Sequence, residues 1–155
     1  MKFFIVAVGE RMPRWVEEGF AEYAKRFPRK ARVELIEIRS ERRSHTRTVQ
    51  QLLAGEAKRI EGAIPPGCKK VVLDERGSEL TTTGLARRAA VWLAEGRDIA
   101  FLVGGPDGLA PAIKDTAEFS FRLSALTLPH GLARVLLAEQ LYRALSILDN
   151  HPYHR

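Results

Sequence analysis

A glycine-rich segment directly follows an apolar run and is the first candidate ligand site in the sequence. The run Ile99–Val103 leads into Gly104–Gly108, which contains three glycines and one proline. Glycines let the backbone approach a ligand closely and leave its N–H and C=O groups unobstructed. The spacing differs from G-x-G-x-x-G and no Lys-Ser or Lys-Thr pair follows, so dinucleotide and nucleoside triphosphate binding are disfavoured. A tight turn without a ligand remains the alternative.

A second candidate site is the segment Leu123–His130, which reads Leu-Ser-Ala-Leu-Thr-Leu-Pro-His. An extended loop of this composition presents backbone amides and small side chains that can surround a flat base such as adenine. The alternative is structural, because Ser124 and Thr127 are of types common in turns and helix caps. His130 stands at the entry to a predicted helix, and that position alone does not indicate a catalyst.

The third candidate site combines the last predicted helix with the end of the chain. Glu139 and Arg143 interrupt an apolar stretch, and their spacing of four residues favours an ion pair along a helix, so a structural role is one interpretation. Chain ends are usually unordered. This one instead concentrates an aromatic ring, an imidazole and a guanidinium, groups suited to stacking on a base and binding phosphate, at Tyr153, His154 and Arg155.

The elements that must position these segments alternate between strands and helices. Short apolar runs predict strands at Phe3–Val8, Val33–Ile38, Lys70–Leu73, Ile99–Val103 and Phe119–Leu123. Helical spacing predicts helices between Pro13 and Pro28, from Val49 to Gly62, from Thr83 to Glu95, after Pro111, and from Gly131 to Leu148.

This alternation predicts a single α/β domain over residues 1–155, with a largely parallel sheet of five to six strands and helices on both faces. Ligands of such sheets bind at the carboxyl ends of the strands. We therefore expect the site in the loops that follow Leu73, Val103 and Leu123.

The last predicted helix is apolar on almost every side. A helix of this kind must be buried on more than one face, so we expect it to pack against a second subunit as well as its own sheet. The apolar positions are Leu132, Val135, Leu136, Leu137, Leu141, Tyr142, Leu145, Ile147 and Leu148.

Charge and composition limit the classes of function. Lys and Arg outnumber Asp and Glu by 25 to 19, a formal net charge of +6, which makes a polyanionic partner plausible. The segment Arg39–Arg47 has too little apolar material to pack and is predicted to be a basic loop. It is a candidate for capturing such a partner, and a solvated loop without a ligand is an equal alternative.

Cysteine usage and the apolar runs bear on compartment and metals. Cys68 is the single cysteine, and no Cys/His cluster has metal-ligand spacing, so neither an oxidising compartment nor a metal site is expected. The apolar start is interrupted at Glu10 and Arg11, which favours a first strand over a signal peptide. No run approaches the roughly 20 apolar residues of a membrane span. We expect a cytoplasmic protein.

Four motifs, in this order, carry a resemblance to a known family. Gly-Gly-Pro-Asp-Gly, Leu-Ser-Ala-Leu-Thr-Leu-Pro-His, Glu-Gln-Leu-Tyr-Arg-Ala and the ending Asn-His-Pro-Tyr-His-Arg closely resemble the bacterial large-subunit (23S) ribosomal RNA pseudouridine N3-methyltransferases of the SPOUT superfamily. The resemblance covers the whole chain, including the Val-Ala-Val-Gly start. Any one motif is weak evidence, but their order and spacing are highly specific.

The resemblance implies a C-terminal trefoil knot, a rare exception to unknotted topology. It also implies a homodimer, S-adenosylmethionine as cofactor, and 23S ribosomal RNA within the ribosome as substrate. The cofactor contacts that it implies are Leu73, Gly104, Gly105, Leu123, Ser124, Ala125, Leu126, Thr127 and Leu128.

The resemblance also suggests roles for the end of the chain. We hypothesise that Tyr153, His154 and Arg155 close over the target base, with His154 accepting a proton and Arg155 neutralising a phosphate or ring oxygen. Glu139, Tyr142 and Arg143 would orient this tail, in the same chain or from the partner subunit. The alternatives are a SPOUT enzyme acting on transfer RNA and a non-catalytic RNA-binding protein; the missing phosphate-loop lysine disfavours a nucleotide hydrolase.

Overall fold

The computed structural model describes all 155 residues, Met1–Arg155, and contains five strands and five helices in strict alternation. The strands are β1 Lys2–Val8, β2 Arg32–Ile38, β3 Lys69–Glu79, β4 Ile99–Val103 and β5 Phe119–Arg122. The helices are α1 Arg14–Ala24, α2 Val49–Ala63, α3 Thr82–Glu95, α4 Pro111–Asp115 and α5 His130–Leu148.

All five strands form one parallel sheet in the order β2-β1-β4-β3-β5. The predicted α/β fold is confirmed, with five strands. Because all strands run the same way, their carboxyl ends lie along one edge of the sheet. The loops that follow β2, β1, β4, β3 and β5 are therefore neighbours in that order.

Two apolar clusters cover the two faces of the sheet. Side chains of β1 and β4 contribute alternately to each cluster, as the period of two in a strand requires. One cluster contains the buried residues of α3 and α5 and half-buried residues of α1. The other contains buried residues of α2 and α4. Strand β4 is entirely apolar and β1 is apolar from Phe3 to Val8, and both are thus central strands covered on both faces.

Strand β3 is longer than the sequence predicts. The prediction ends at Leu73, whereas the strand continues to Glu79 after a register shift against β5 between Leu73 and Ser78. The extension is largely exposed and charged, so it lacks the apolar pattern from which the strand was predicted. A Cβ at Gly77 would lie 2.6 Å from the backbone of Phe121, so glycine is needed where the two strands approach.

The segment Leu123–Pro129, here called the crossing segment, connects the edge strand β5 to α5. The first turns of α5 are fixed at the end of β1, where the fully buried Arg134 donates hydrogen bonds to Val8 O at 3.1 Å and Gly9 O at 2.8 Å. In the sheet order, β1 and β5 are three strand spacings apart, about 14 Å. The crossing segment therefore passes the ends of β3 and β4, a path consistent with the trefoil knot, which stays a prediction.

No helix combines the length and apolar character that crossing a membrane would require.

Candidate active site

The main cavity lies at the carboxyl ends of β4 and β5, beside the part of β3 that follows Leu73, and has a volume of about 640 Å³. Two of the three predicted loops, those after Val103 and Leu123, contribute to it. The predicted loop after Leu73 is wrong, because β3 continues to Glu79 by pairing with β5. Eight of the nine predicted cofactor contacts line the cavity: Leu73, Gly104, Gly105, Leu123, Ser124, Leu126, Thr127 and Leu128. Ala125 is exposed within the same segment and does not line the cavity.

The turn Gly104–Gly108, here called the glycine turn, forms one wall of the main cavity. It closes on itself, because Gly108 N donates to Gly105 O at 3.0 Å and Gly108 has a φ of +79°. A Cβ at Gly104 would lie 2.5 Å from the carbonyl carbon of Gly108. The turn itself therefore requires glycine at 104, and the same absence of side chains leaves backbone groups open towards the cavity.

The crossing segment forms the opposite wall. Ser124 Oγ accepts a hydrogen bond from Leu126 N at 2.9 Å, so the predicted turn role of Ser124 is present alongside its position in the cavity. Leu126 is 77% exposed, although it is a large apolar residue. An apolar side chain held open beside a cavity is available to pack against a ligand or another chain.

Several charged residues of the main cavity were not predicted from the sequence. Asp74 and Lys114, which both line the cavity, form an ion pair at 2.8 Å, and Arg76 N donates to Asp74 Oδ1 at 3.2 Å. Burial alone would raise the pKa of the Asp74 carboxyl, but the hydrogen bonds from Lys114 and Arg76 outweigh it and lower that pKa. The available signal was the position of Asp74 directly after the apolar part of β3.

Asp107, in the glycine turn, also lines the cavity and was not predicted. Its Oδ2 accepts a hydrogen bond from Arg43 Nη2 at 2.6 Å. Arg43 belongs to the predicted basic loop, 64 residues away in sequence. Nothing in the sequence indicates this pairing.

A second group of functional candidates surrounds Glu139 on α5. The carboxylate accepts hydrogen bonds from Arg143 Nε at 2.8 Å and from Tyr153 OH at 3.0 Å on one oxygen, and from Gln140 Nε2 at 2.7 Å on the other. These residues together with Tyr142 are here called the tail cluster. The predicted Glu139–Arg143 ion pair is present, and it also serves to hold the end of the chain.

The ring of Tyr153 is enclosed by the tail cluster. It meets the Tyr142 ring edge-on at 4.8 Å between centroids, and the Arg143 guanidinium lies 4.6 Å from its centre. Burial, and then the hydrogen bond to Glu139, raise the pKa of Tyr153 to about 12. The hydrogen bond to Glu139 also raises the pKa of Arg143. The phenol is therefore held in its neutral, donating form.

The last two residues differ in their surroundings. His154 is half-buried, and its Nδ1 is buried without a hydrogen-bond partner. A buried polar atom without a partner is costly and often marks a functional position. Arg155 is exposed and forms no ion pair.

The tail cluster and the main cavity are separate within one chain. None of the predicted catalytic residues, Glu139, Tyr142, Arg143, Tyr153, His154 and Arg155, lines the main cavity. A smaller cavity of about 250 Å³ lies between them, sharing Arg122 and Leu123 with the main cavity and reaching Gln140. Thr82 Oγ1 donates to Gln140 Oε1 at 2.8 Å at this point.

Comparison with known proteins identifies the family. The family model described as "Predicted SPOUT methyltransferase" matches residues 1–154. Relatives from Nitrosospira multiformis and Ralstonia pickettii, both named ribosomal RNA large subunit methyltransferase H, are 57% and 59% identical over 100% of this chain and 99% of their own. The chain belongs to the SPOUT methyltransferase family. The resemblance found in the sequence is confirmed.

A solved structure supports the fold of this SPOUT methyltransferase. A Bordetella pertussis protein described as a probable methyltransferase superposes with a TM-score of 0.54 at 16% identity, covering 93% of this chain and 95% of that one. An identity this low supports the fold alone. Family membership makes the chain a methyltransferase, and SPOUT methyltransferases generally use S-adenosylmethionine. No group of three or more His, Cys, Asp or Glu side chains is arranged to hold a metal ion.

Proposed function

We propose that this chain methylates N3 of a pseudouridine in large-subunit (23S) ribosomal RNA, with S-adenosylmethionine as donor and the assembled ribosome in the cytoplasm as substrate. The observation that carries this proposal is the identity of 57% and 59%, over the whole chain, to relatives named for ribosomal RNA large subunit methylation. A nucleoside-sized cavity and an aromatic, basic tail in the same chain support it.

The main cavity fits the donor in size and lining. Its volume of about 640 Å³ lies within the range of small-molecule sites, roughly 300–1,000 Å³. The glycine turn leaves backbone groups open for hydrogen bonds, and the crossing segment adds apolar and hydroxyl side chains. We assign donor binding to Leu73, Gly104, Gly105 and residues 123–128. S-adenosylmethionine bound there supplies a methyl group carried on a positively charged sulfur.

The tail supplies the remaining chemistry in this proposal. The N3 proton of the target must leave as the new N–C bond forms, so a proton acceptor beside the ring is useful. His154 has a buried Nδ1 without a partner, which suits that role. Arg155 is free to neutralise a phosphate or a ring oxygen. Positioning of the two reactants would supply most of the rate.

The tail cluster acts as a positioning device in this proposal. Glu139 and Arg143 fix the phenol of Tyr153, and Tyr142 packs against its ring, so the neighbouring His154 and Arg155 start from a defined place. Because these residues do not line the main cavity, we propose that a homodimer forms the complete site. The tail of one protomer would then serve the main cavity of its partner.

Methyl transfer to isolated ribosomes tests the proposed function. Purified protein and labelled S-adenosylmethionine are incubated with ribosomes, with free ribosomal RNA and with transfer RNA from a strain that lacks the activity, and the label is mapped by mass spectrometry. We expect label on a pseudouridine ring nitrogen of 23S RNA in ribosomes. Label confined to transfer RNA would contradict the proposed substrate, and binding of RNA without transfer would contradict catalysis.

Mixed dimers test the shared site. Deletion of residues 153–155 should abolish transfer and leave donor affinity unchanged, whereas Leu126→Arg should block the main cavity and leave the tail intact. Each variant alone is expected to be inactive, and a mixture allowed to exchange subunits should recover up to one active site per dimer. Mixed dimers that are confirmed by mass but remain inactive would contradict the exchange of tails.

A further inference from the structure

The basic loop Arg39–Arg47 is a strongly charged surface that the chemistry above does not use. It carries four arginines and one glutamate, so its net charge of +3 is half of the formal net charge of the chain, +6. Every residue of the loop except Glu41 is exposed. A concentration of cationic side chains in nine residues of surface is the electrostatic footprint expected of a polyanion-binding surface.

The loop has internal order despite its lack of apolar residues. Glu41 accepts hydrogen bonds from Arg47 at 2.6 Å and pairs with Arg59 of α2 at 2.8 Å, and Glu41 N donates to Glu56 at 3.1 Å. The hydrogen bond from Arg47 is the largest cause that lowers the pKa of Glu41, so its carboxylate stays ionised at neutral pH. One glutamate thus organises the base of the loop.

The remaining arginines of the loop are free or point towards the main cavity. Arg39 and Arg42 are exposed and take part in no ion pair, so their guanidinium groups are available to a ligand. Arg43 reaches Asp107 in the glycine turn, with 2.6 Å between Nη2 and Oδ2. Since Asp107 lines the main cavity, this ion pair fixes the loop at the cavity rim.

The order of the strands places two further segments in line with the basic loop, along the same edge of the sheet. The basic loop follows β2, and Arg11 follows β1, exposed, unpaired and with a φ of +56°. The glycine turn follows β4. Because β2, β1 and β4 are neighbours in a parallel sheet, these three segments form a continuous row that ends at the main cavity.

We propose that Arg11, Arg39 and Arg42 bind the sugar-phosphate backbone of the substrate RNA, in the strand that leads to the target nucleotide. This inference rests on the proposed function, because it assigns the docking surface of that same reaction. Exposed guanidinium groups bind phosphate without reading sequence, so the surface provides affinity and orientation, and selection of the base is left to the site. The Arg43–Asp107 pair sets the distance between the docked strand and the cavity.

A paired charge-neutralisation experiment tests the proposal. Arg39→Gln with Arg42→Gln removes two cations that make no internal ion pair. The matched control, Arg29→Gln with Arg32→Gln, removes two exposed cations that also make no ion pair, at and just before the amino end of β2, on the opposite edge of the sheet. Binding of each protein to ribosomes that lack the modification is measured over a series of salt concentrations, together with affinity for S-adenosylmethionine.

The loop variant is expected to bind ribosomes about tenfold more weakly than the wild type at low salt. The slope of its log affinity against log salt should be smaller in magnitude than that of the wild type by about 2. Its affinity for S-adenosylmethionine should equal that of the wild type, which also shows that it is folded. Equal losses in both variants, wild-type affinity in the loop variant, or a wild type that does not bind ribosomes would each overturn the proposal. If the wild type binds ribosomes but does not transfer a methyl group, the proposed reaction is overturned. The docking surface is then tested by the difference in ribosome affinity between the loop variant and the control.

Discussion

The enclosure of Tyr153 can be tested by titration of its phenol. In the folded protein, burial and then the hydrogen bond to Glu139 raise its pKa from 10.0 to about 12. A group whose pKa is raised by folding adds stability that is complete below the unfolded pKa and is lost as pH rises through the folded one. The stability contributed by the docked phenol is therefore present below pH 10 and disappears between about pH 10 and pH 12.

The size of this effect follows from the shift. Two pKa units correspond to at most about 2.7 kcal/mol at about 1.36 kcal/mol per unit, and the partial exposure of Tyr153 reduces that figure. Tyr153→Phe should remove this pH-dependent contribution and keep the ring contacts with Tyr142 and Arg143. Glu139→Gln should lower the pKa of Tyr153 only part of the way, because burial, the largest cause, remains.

Ultraviolet absorbance of the phenolate provides the measurement. The chain has three tyrosines, so the titration curve of the wild type is compared with that of Tyr153→Phe. Tyr23→Phe is titrated as well, because the charge of Tyr23 makes a smaller contribution to the raised pKa of Tyr153. The difference between wild type and Tyr153→Phe should have a midpoint near pH 12, with secondary structure checked by circular dichroism at each pH. A midpoint near pH 10 with the protein still folded would show that the phenol is not enclosed and would refute the tail cluster.

Three substitutions test the other structural assignments. Gly104→Ala places a Cβ 2.5 Å from the Gly108 backbone. It should cost about 3 kcal/mol of unfolding free energy, measured by urea unfolding, and weaken donor binding. In the control Gly62→Ala, the new Cβ meets nothing within 4 Å, so this variant should be as stable as the wild type or more stable. Arg134→Met removes three hydrogen bonds from a fully buried side chain and should lower the free energy of unfolding by about 3 kcal/mol. Arg134→Lys should lower it by less, because a lysine keeps the charge and some of these hydrogen bonds. Glu139→Gln should lower kcat and leave the dissociation constant of S-adenosylmethionine unchanged, because Glu139 holds the tail and does not line the cavity.

The central part of the fold was predictable because its pattern is local. The fully apolar runs of β1 and β4 predict strands covered on both faces, and both strands have these surroundings. The glycine turn and the crossing segment follow strands directly, so their place at the carboxyl edge follows from the parallel order alone. The second half of β3 was missed because its residues are exposed and charged, and pairing with β5 rather than burial makes it a strand.

Interactions between distant residues account for the rest of what the sequence could not predict. The Arg43–Asp107 pair joins residues 64 apart, and the hydrogen bond from Arg134 to Glu37 joins residues 97 apart. Local patterns contain no information on such pairs. Arg134 nevertheless had a signal, because it lies on the same helical face as Leu137 and Leu141, three and seven residues later, where a charged residue is expected to be buried and paired.

Helix α5 carries residues of both functional groups, and its geometry bears on how the site is completed. Ala133 lines the main cavity and Arg143 belongs to the tail cluster, ten residues further, which is about 15 Å along the helix. Reacting groups must approach to about 3–3.5 Å. Within one chain, the predicted catalytic residues do not line the main cavity while the tail keeps its contacts with Glu139. In the proposed homodimer, a second copy would bring a docked tail to the cavity with those contacts intact, and the incompletely buried apolar surface of α5, at Leu132 and Leu136, offers a place for it.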